Sequence, residues 1–313
     1  MDHYLSTHPD IFVARKEMHF FGADLSFGTQ FYRRDEPAYL AEFEHHAGRR
    51  RAGETSVWYL YSQHAAAEIK AFSPDARIVI MLREPTQMLY SLYYTFLWDG
   101  NENIPTFEEA LAAEEDRRVG RRLGRQTYFA QGLVYRDAIR YTAQVKRYFD
   151  IFGRDNVRVI IYDDFATNTA AVYRDTLSFL GADPAAGELD FRVANANQFV
   201  KNRFVRALLN DRLVRSGVLA VRPLLPRAVF SGMQKIDARI RRLNSRTGGR
   251  PVLSSETRWK LKREFAPEVE RLSELLDRDL TSWSREDTWW ESDTPGGAPR
   301  RSPNHAPCES RNP

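Results

Sequence analysis

The chain has 313 residues, 42% of them apolar and 28% charged, which is ordinary for a globular protein. No stretch approaches the roughly 18 consecutive apolar residues of a membrane span. The N-terminal residues lack the basic flank and apolar run of a secretory signal. The single cysteine, Cys308, excludes an intrachain disulfide and a cysteine-rich zinc site. We therefore expect a cytoplasmic protein with no membrane span.

The formal net charge of +4 is unevenly distributed, because residues 200–250 hold many basic and few acidic side chains. This region is either a solvated helical face or a surface that attracts an anionic cofactor, an acidic glycan, a lipid surface or nucleic acid. No helix-turn-helix, RNA-recognition or zinc pattern accompanies the charges, so we do not expect a nucleic-acid partner.

The first half of the chain alternates between helical and apolar extended segments. Residues 1–6 are typical of a helix end, 11–13 of a short extended segment, and 36–47 and 62–72 of helices. Residues 77–82 form a nearly continuous apolar run, as in a parallel strand covered on both faces. A helix over 86–98 follows.

A second set of segments repeats this order, with one long amphipathic helix over 135–152, a buried strand over 157–162 and a helix over 170–180. This alternation indicates an α/β fold with a parallel sheet flanked by helices. After about residue 195 we predict no further strand, but a long helix over 254–280 that Pro267 kinks or splits. Residues 284–313 predict a disordered tail, which leaves 1–283 as one domain.

An arginine follows the first buried strand in the sequence LREPTQMLYS, which places Arg83 at the strand end and Ser91 eight residues later on the next helix. Ligands of open α/β sheets bind outside the carboxyl ends of the strands. A guanidinium can hold a phosphate with two parallel hydrogen bonds. The pattern indicates either an anion site or a structural strand end.

A second candidate segment is RKEMHFF over residues 15–21. Group transfer to a hydroxyl or amine needs a base for the acceptor proton and positive groups where charge develops. Glu17 is a candidate base, and Lys16 and His19 are candidates for binding donor or acceptor oxygens. The alternative is a charged loop that Phe20 and Phe21 anchor. A third segment, GETSVWYLY over 53–61, by itself predicts a turn into a core strand.

In this order and spacing, the three segments resemble the sulfotransferase superfamily that uses 3′-phosphoadenosine-5′-phosphosulfate (PAPS). The nearest similarity is to bacterial sulfotransferases related to the heparan sulfate N- and 3-O-sulfotransferases. The resemblance continues through GLVY at 132–135 and RVIIYDDF at 158–165, and it ends with LDRDLTSW at 276–283. It implies a fold similar to that of the P-loop nucleotide kinases.

The resemblance also implies roles for individual residues. Arg83 and Ser91 would bind the 3′-phosphate of the donor, and Glu17 would be the catalytic base, with Lys16 and His19 at adjoining active-site positions. A loop that closes over the nucleotide would contain the weaker candidates, Lys201 and Arg203. The co-substrate would be PAPS, the product adenosine 3′,5′-bisphosphate, and no metal would be required.

Three departures from the family pattern affect this expectation. The family's first strand and glycine-rich loop, which hold the 5′-phosphosulfate, precede a helix that resembles the start of this chain, so we expect them to be absent here. Met88 stands where many relatives have a second basic residue, and Thr55 replaces a lysine of the heparan sulfate enzymes. We expect the chain as written to show little transfer and marginal stability. A misplaced start is the favoured explanation, and an inactive remnant is the alternative.

The sequence therefore predicts a sulfotransferase that moves a sulfuryl group from PAPS to a hydroxyl or amine of a carbohydrate, glycolipid or small molecule. The alternative is a non-enzymatic protein of the same fold that binds a nucleotide or an anionic glycan. A kinase lacks support, because no Gly-Lys-Ser/Thr loop accompanies Asp163 and Asp164, which we interpret as solvated loop carboxylates. The acceptor and the oligomeric state cannot be predicted.

Overall fold

The computed structural model describes residues 1–27, 35–46, 48–186, 198–200, 245–247 and 251–285, with the backbone alone at 198–200 and 245–247. Lys201, Arg203 and all of the predicted tail beyond residue 285 lie outside these residues. The helices are α1 Asp2–Ser6, α2 Glu36–Ala41, α3 Ala65–Phe72, α4 Pro85–Asp99, α5 Phe107–Ala112, α6 Glu114–Arg118, α7 Tyr135–Ala138, α8 Tyr141–Phe152, α9 Tyr162–Thr167, α10 Thr169–Leu180 and α11 Ser255–Leu276. The strands are β1 Ile11–Val13, β2 Arg51–Gly53, β3 Ile78–Leu82, β4 Val157–Ile161, β5 Gln198–Val200 and β6 Ser245–Thr247.

The two predicted buried strands pair with each other in parallel. In the register of β3 and β4, Ile78 lies opposite Val157 and Leu82 opposite Ile161, so both strands end at the same edge. Strands β1 and β2 form a second parallel pair, and β5 and β6 an antiparallel one. The parallel pairs with their flanking helices confirm the predicted α/β fold.

The main core lies between β3, β4 and the long helices α4, α8 and α11. Its members include Leu82 of β3, Leu89 of α4, Val145 of α8 and Leu261 of α11, each no more than 1% exposed. Helix α8 contacts α3 on one side and α11 on the other.

Helix α4 begins immediately after β3, for reasons that the sequence contains. The carboxylate of Glu84 accepts hydrogen bonds from the amides of Thr86 (2.9 Å) and Gln87 (2.8 Å), and Pro85 occupies the first helical position. Gly100 ends the helix at φ +91°, a left-handed conformation that glycine adopts without steric cost.

The single helix predicted over 135–152 is wrong, because the structure breaks it into α7 and α8 at Ile139 and Arg140. Tyr135 and Tyr141 are both buried in the main core, 0% and 3% exposed. In one continuous helix these two side chains would point about 120° apart, and the break at residues 139–140 lets both rings face the core.

Two further predictions about strands are wrong. Residues 57–59 form a 3₁₀ turn instead of a core strand, because this segment bonds to residues 17–21. Strands β5 and β6 follow residue 195, paired across a long sequence separation that no local pattern reveals.

Helix α11 continues through Pro267, because Phe265, Val269 and Leu272 keep its apolar stripe buried. None of the described helices is long and apolar enough to span a membrane.

Candidate active site

The pairing of β1 with β2 places the RKEMHFF segment beside residues 53–57. The amide of Ala14 donates to the carbonyl of Gly53, and the amide of Glu17 donates to the carbonyl of Thr55, both at 2.8 Å. The segment thus continues along the GETS motif beyond the end of β1. Two of the three sequence motifs therefore form one local structure.

Glu17 and His19 adopt left-handed backbone conformations, with φ of +57° and +49°. Non-glycine residues rarely do so, and the conformation costs roughly 1–2 kcal/mol at each residue. The amide of His19 donates to the Ser56 hydroxyl at 3.1 Å, which helps to hold the strained turn. Backbone strain of this kind concentrates at functional sites.

The turn presents the carboxylate of Glu17 at the surface, with its side chain 37% exposed. Glu17 Oε2 accepts a hydrogen bond from the Val57 amide at 3.2 Å and lies 3.4 Å from His19 Nε2. Burial raises the pKa of Glu17, and the Val57 amide and the charge of Lys16 oppose that rise. A partly buried carboxylate with a raised pKa and an exposed face can accept a proton.

His19 is the more buried partner, and its ring stacks on Phe27 with centroids 4.2 Å apart. Burial lowers the pKa of His19 to about 4, so the imidazole is neutral at pH 7. Nδ1 is buried without a hydrogen-bond partner in the described part of the chain. His19 can therefore offer a hydrogen bond, but not a positive charge, to a bound group.

Lys16 supplies the positive charge next to Glu17. Its side chain is 49% exposed, and Nζ lies 3.5 Å from Asp2 Oδ2. Asp2 also accepts a hydrogen bond from the Thr55 hydroxyl at 3.0 Å, which connects Lys16 to the GETS motif. The structure thus brings together all three residues predicted for the catalytic side.

Glu54 supports this cluster, and the sequence analysis did not single it out. Its Oε1 accepts from the hydroxyls of Tyr39 (3.1 Å) and Tyr59 (2.8 Å), and its Oε2 accepts from the hydroxyl of Ser56 (2.8 Å). Burial raises the pKa of Glu54, and these donors oppose the rise. In the sequence, only the GETS motif pointed to a role for Glu54, because its partner Tyr39 lies on helix α2, away from that motif in the chain.

Arg83 lies at the shared edge of β3 and β4. Its Nε donates to Gln87 Oε1 at 3.0 Å, and its guanidinium carbon lies 4.8 Å from the centroid of the Tyr162 ring. Ser91 is half-buried, two turns into α4. The predicted anion site therefore consists of one strand end and the helix that follows it.

The structure does not join the two clusters directly, because Glu17 and Arg83 share no hydrogen bond or ion pair. The link runs through aromatic rings: Phe27, which contacts His19, stacks on Phe129 with centroids 4.4 Å apart, and Phe129 packs against Trp58. Trp58 in turn stacks on Phe96 of α4. Strand β5, which ends one residue before Lys201, contacts α4.

The described residues include no group of His, Cys, Asp and Glu that could hold a metal ion. Asp163 accepts from Trp283 Nε1 at 3.0 Å, and Asp164 accepts two hydrogen bonds from Arg278. Both carboxylates lie on helix α9 and bind Trp283 and Arg278, so the interpretation as loop carboxylates is wrong, although Asp164 remains 42% exposed.

Comparisons with known proteins place this geometry in context. The family model described as "Sulfotransferase domain" matches residues 6–201. A solved structure titled "Crystal Structure of Sulfotransferase from Alicyclobacillus acidocaldarius" is similar to this chain, with 29% sequence identity and a TM-score of 0.64. The similarity covers 91% of this chain and 92% of that one. Among curated proteins no match is found.

Proposed function

This chain belongs to the sulfotransferase family, and from that premise we propose that it transfers a sulfuryl group from PAPS to a hydroxyl or amine. The acceptor would be a carbohydrate, a glycolipid or a small molecule. The observation that carries the proposal is the Glu17 carboxylate, which a strained turn holds at the surface between Lys16 and His19.

The residues at the strand edge fit the anionic donor. A 3′-phosphate can be held by a cation and a hydroxyl near the carboxyl end of a strand, and Arg83 follows β3 while Ser91 lies on the next helix, α4. Bound PAPS would supply an activated sulfuryl group, whose bond to the phosphate oxygen breaks as a new S–O or S–N bond forms. The displaced phosphate keeps the bonding electrons.

In this proposal Glu17 takes the acceptor proton. The raised pKa makes its carboxylate a better proton acceptor than an exposed glutamate. Lys16 would stabilise negative charge on the sulfuryl oxygens. His19 is neutral and would position an oxygen by hydrogen bonding.

A transfer assay with labelled PAPS and a panel of glycans, glycolipids and hydroxylated small molecules tests the proposal. We expect Glu17→Gln to lower turnover by about 100-fold or more, the usual range for a general base. Its affinity for adenosine 3′,5′-bisphosphate should be unchanged. The matched control is Glu270→Gln, which alters an exposed glutamate of α11.

Full turnover of Glu17→Gln would exclude Glu17 as the base. Binding of the bisphosphate without transfer to any acceptor would instead favour a non-enzymatic binding protein of this fold. If the unaltered chain neither binds adenosine 3′,5′-bisphosphate nor transfers a sulfuryl group, the proposal as a whole is refuted.

A further inference from the structure

The side chain of Arg83 is held at Nε and at one face of its guanidinium, as two contacts show. Its Nε donates to Gln87 Oε1, and one face of the guanidinium lies over the Tyr162 ring. Within the described part of the chain, neither Nη1 nor Nη2 of Arg83 has a hydrogen-bond or ion-pair partner. The two terminal amines are the pair that a guanidinium uses to hold two oxygens of one phosphate.

The side chain that holds Nε is itself well supported. Gln87 lies four residues after Arg83, and its backbone amide donates to Glu84 Oε2 at 2.8 Å. Glu84 is only 2% exposed. The first turn of α4 is therefore fixed by a buried cap, which reduces the freedom of Gln87.

The ring beneath the guanidinium is placed by the sheet. Leu82 and Ile161 lie opposite each other in the parallel register, so the next residues of the two strands, Arg83 and Tyr162, are neighbours at the carboxyl edge. A cation over a tyrosine face is attracted by the negative face of the ring, so Tyr162 favours this position of the guanidinium.

We propose that Gln87 and Tyr162 are positioning residues that hold Arg83 by Nε and by one face, so that both Nη amines are left to bind the 3′-phosphate of the donor. This proposal rests on the proposed function. A glutamine suits the task because its oxygen accepts from Nε without neutralising the arginine or repelling the phosphate. A glutamate would do both.

Calorimetric titration with two nucleotides tests the proposal: adenosine 3′,5′-bisphosphate, and adenosine 5′-monophosphate, which lacks the 3′-phosphate. We expect Gln87→Ala to weaken bisphosphate binding about tenfold, as for loss of a hydrogen bond to a charged group. Tyr162→Leu should weaken it about threefold. The affinity of both variants for the monophosphate should not change, whereas a general structural disturbance would weaken the binding of both nucleotides.

Two variants separate positioning from folding. Tyr162→Phe keeps the ring and should bind both nucleotides normally. Gln63→Ala removes another glutamine–arginine hydrogen bond, to Arg147, and should also leave both affinities unchanged. In an Arg83→Met background, Gln87→Ala should have no further effect, because it acts through Arg83.

The outcomes distinguish this inference from the function on which it rests. If the unaltered chain does not prefer the bisphosphate, both are wrong. If the unaltered chain does prefer the bisphosphate, two results would refute only the positioning role. One is that Gln87→Ala weakens the binding of both nucleotides equally, and the other is that its effect on bisphosphate binding is undiminished in the Arg83→Met background.

Discussion

The left-handed turn at Glu17 makes an unusual prediction about stability. Replacing Glu17 with alanine or glycine removes the same carboxylate contacts with the Val57 amide and His19. The two variants differ in the cost of φ +57°, which glycine tolerates and alanine does not. Glycine should therefore give the more stable protein.

The magnitude follows from two opposing effects. The left-handed conformation costs alanine roughly 1–2 kcal/mol, while glycine loses roughly 0.5–1 kcal/mol in chain entropy. Glu17→Gly should exceed Glu17→Ala by about 1 kcal/mol in free energy of unfolding. At Glu270, an exposed interior position of α11, the order should reverse, with alanine better by about 1 kcal/mol.

Equilibrium urea unfolding of the four variants measures both differences with one method. At each position, the difference in free energy of unfolding is taken as the glycine variant minus the alanine variant. The two differences should have opposite signs and be about 2 kcal/mol apart. Equal signs, or an alanine at position 17 at least as stable as glycine, would show that the turn stores no backbone strain.

Two other predictions concern charge. The transfer rate should fall at low pH as Glu17 becomes protonated. Lys16→Met should move this fall to higher pH, because the lysine charge lowers the pKa of Glu17. A shift to lower pH in the pH–rate profile would contradict the base assignment. Arg117→Met should cost about 3–5 kcal/mol of unfolding free energy, because it leaves the buried Glu102 carboxylate without its 2.7 Å partner. Lys146→Met, which breaks an exposed ion pair with Asp150, should lower the free energy of unfolding by less than about 1 kcal/mol. If urea unfolding shows the same loss for Arg117→Met and Lys146→Met, burial does not set the contribution of these ion pairs.

The local sequence determined most of the elements near the site. The apolar runs at 77–82 and 157–162 could be predicted as buried strands, because short, nearly continuous apolar runs are typical of parallel strands covered on both faces. The start of α4 could be predicted within one residue, since Glu84 and Pro85 form the cap themselves. The order of the motifs was also sufficient to predict the family, which the comparisons confirm.

Tertiary structure decided the features that depend on distant partners. Tyr135 and Tyr141 both reach the core only through a break that periodicity does not reveal, and β5 finds β6 across a long separation. The strain at Glu17 and His19 depends on hydrogen bonds with residues 55–57, and the position of the Arg83 guanidinium depends on a strand register that brings Tyr162 beside it. The residue types were present in the sequence, but their geometry is set by contacts between segments far apart in the chain.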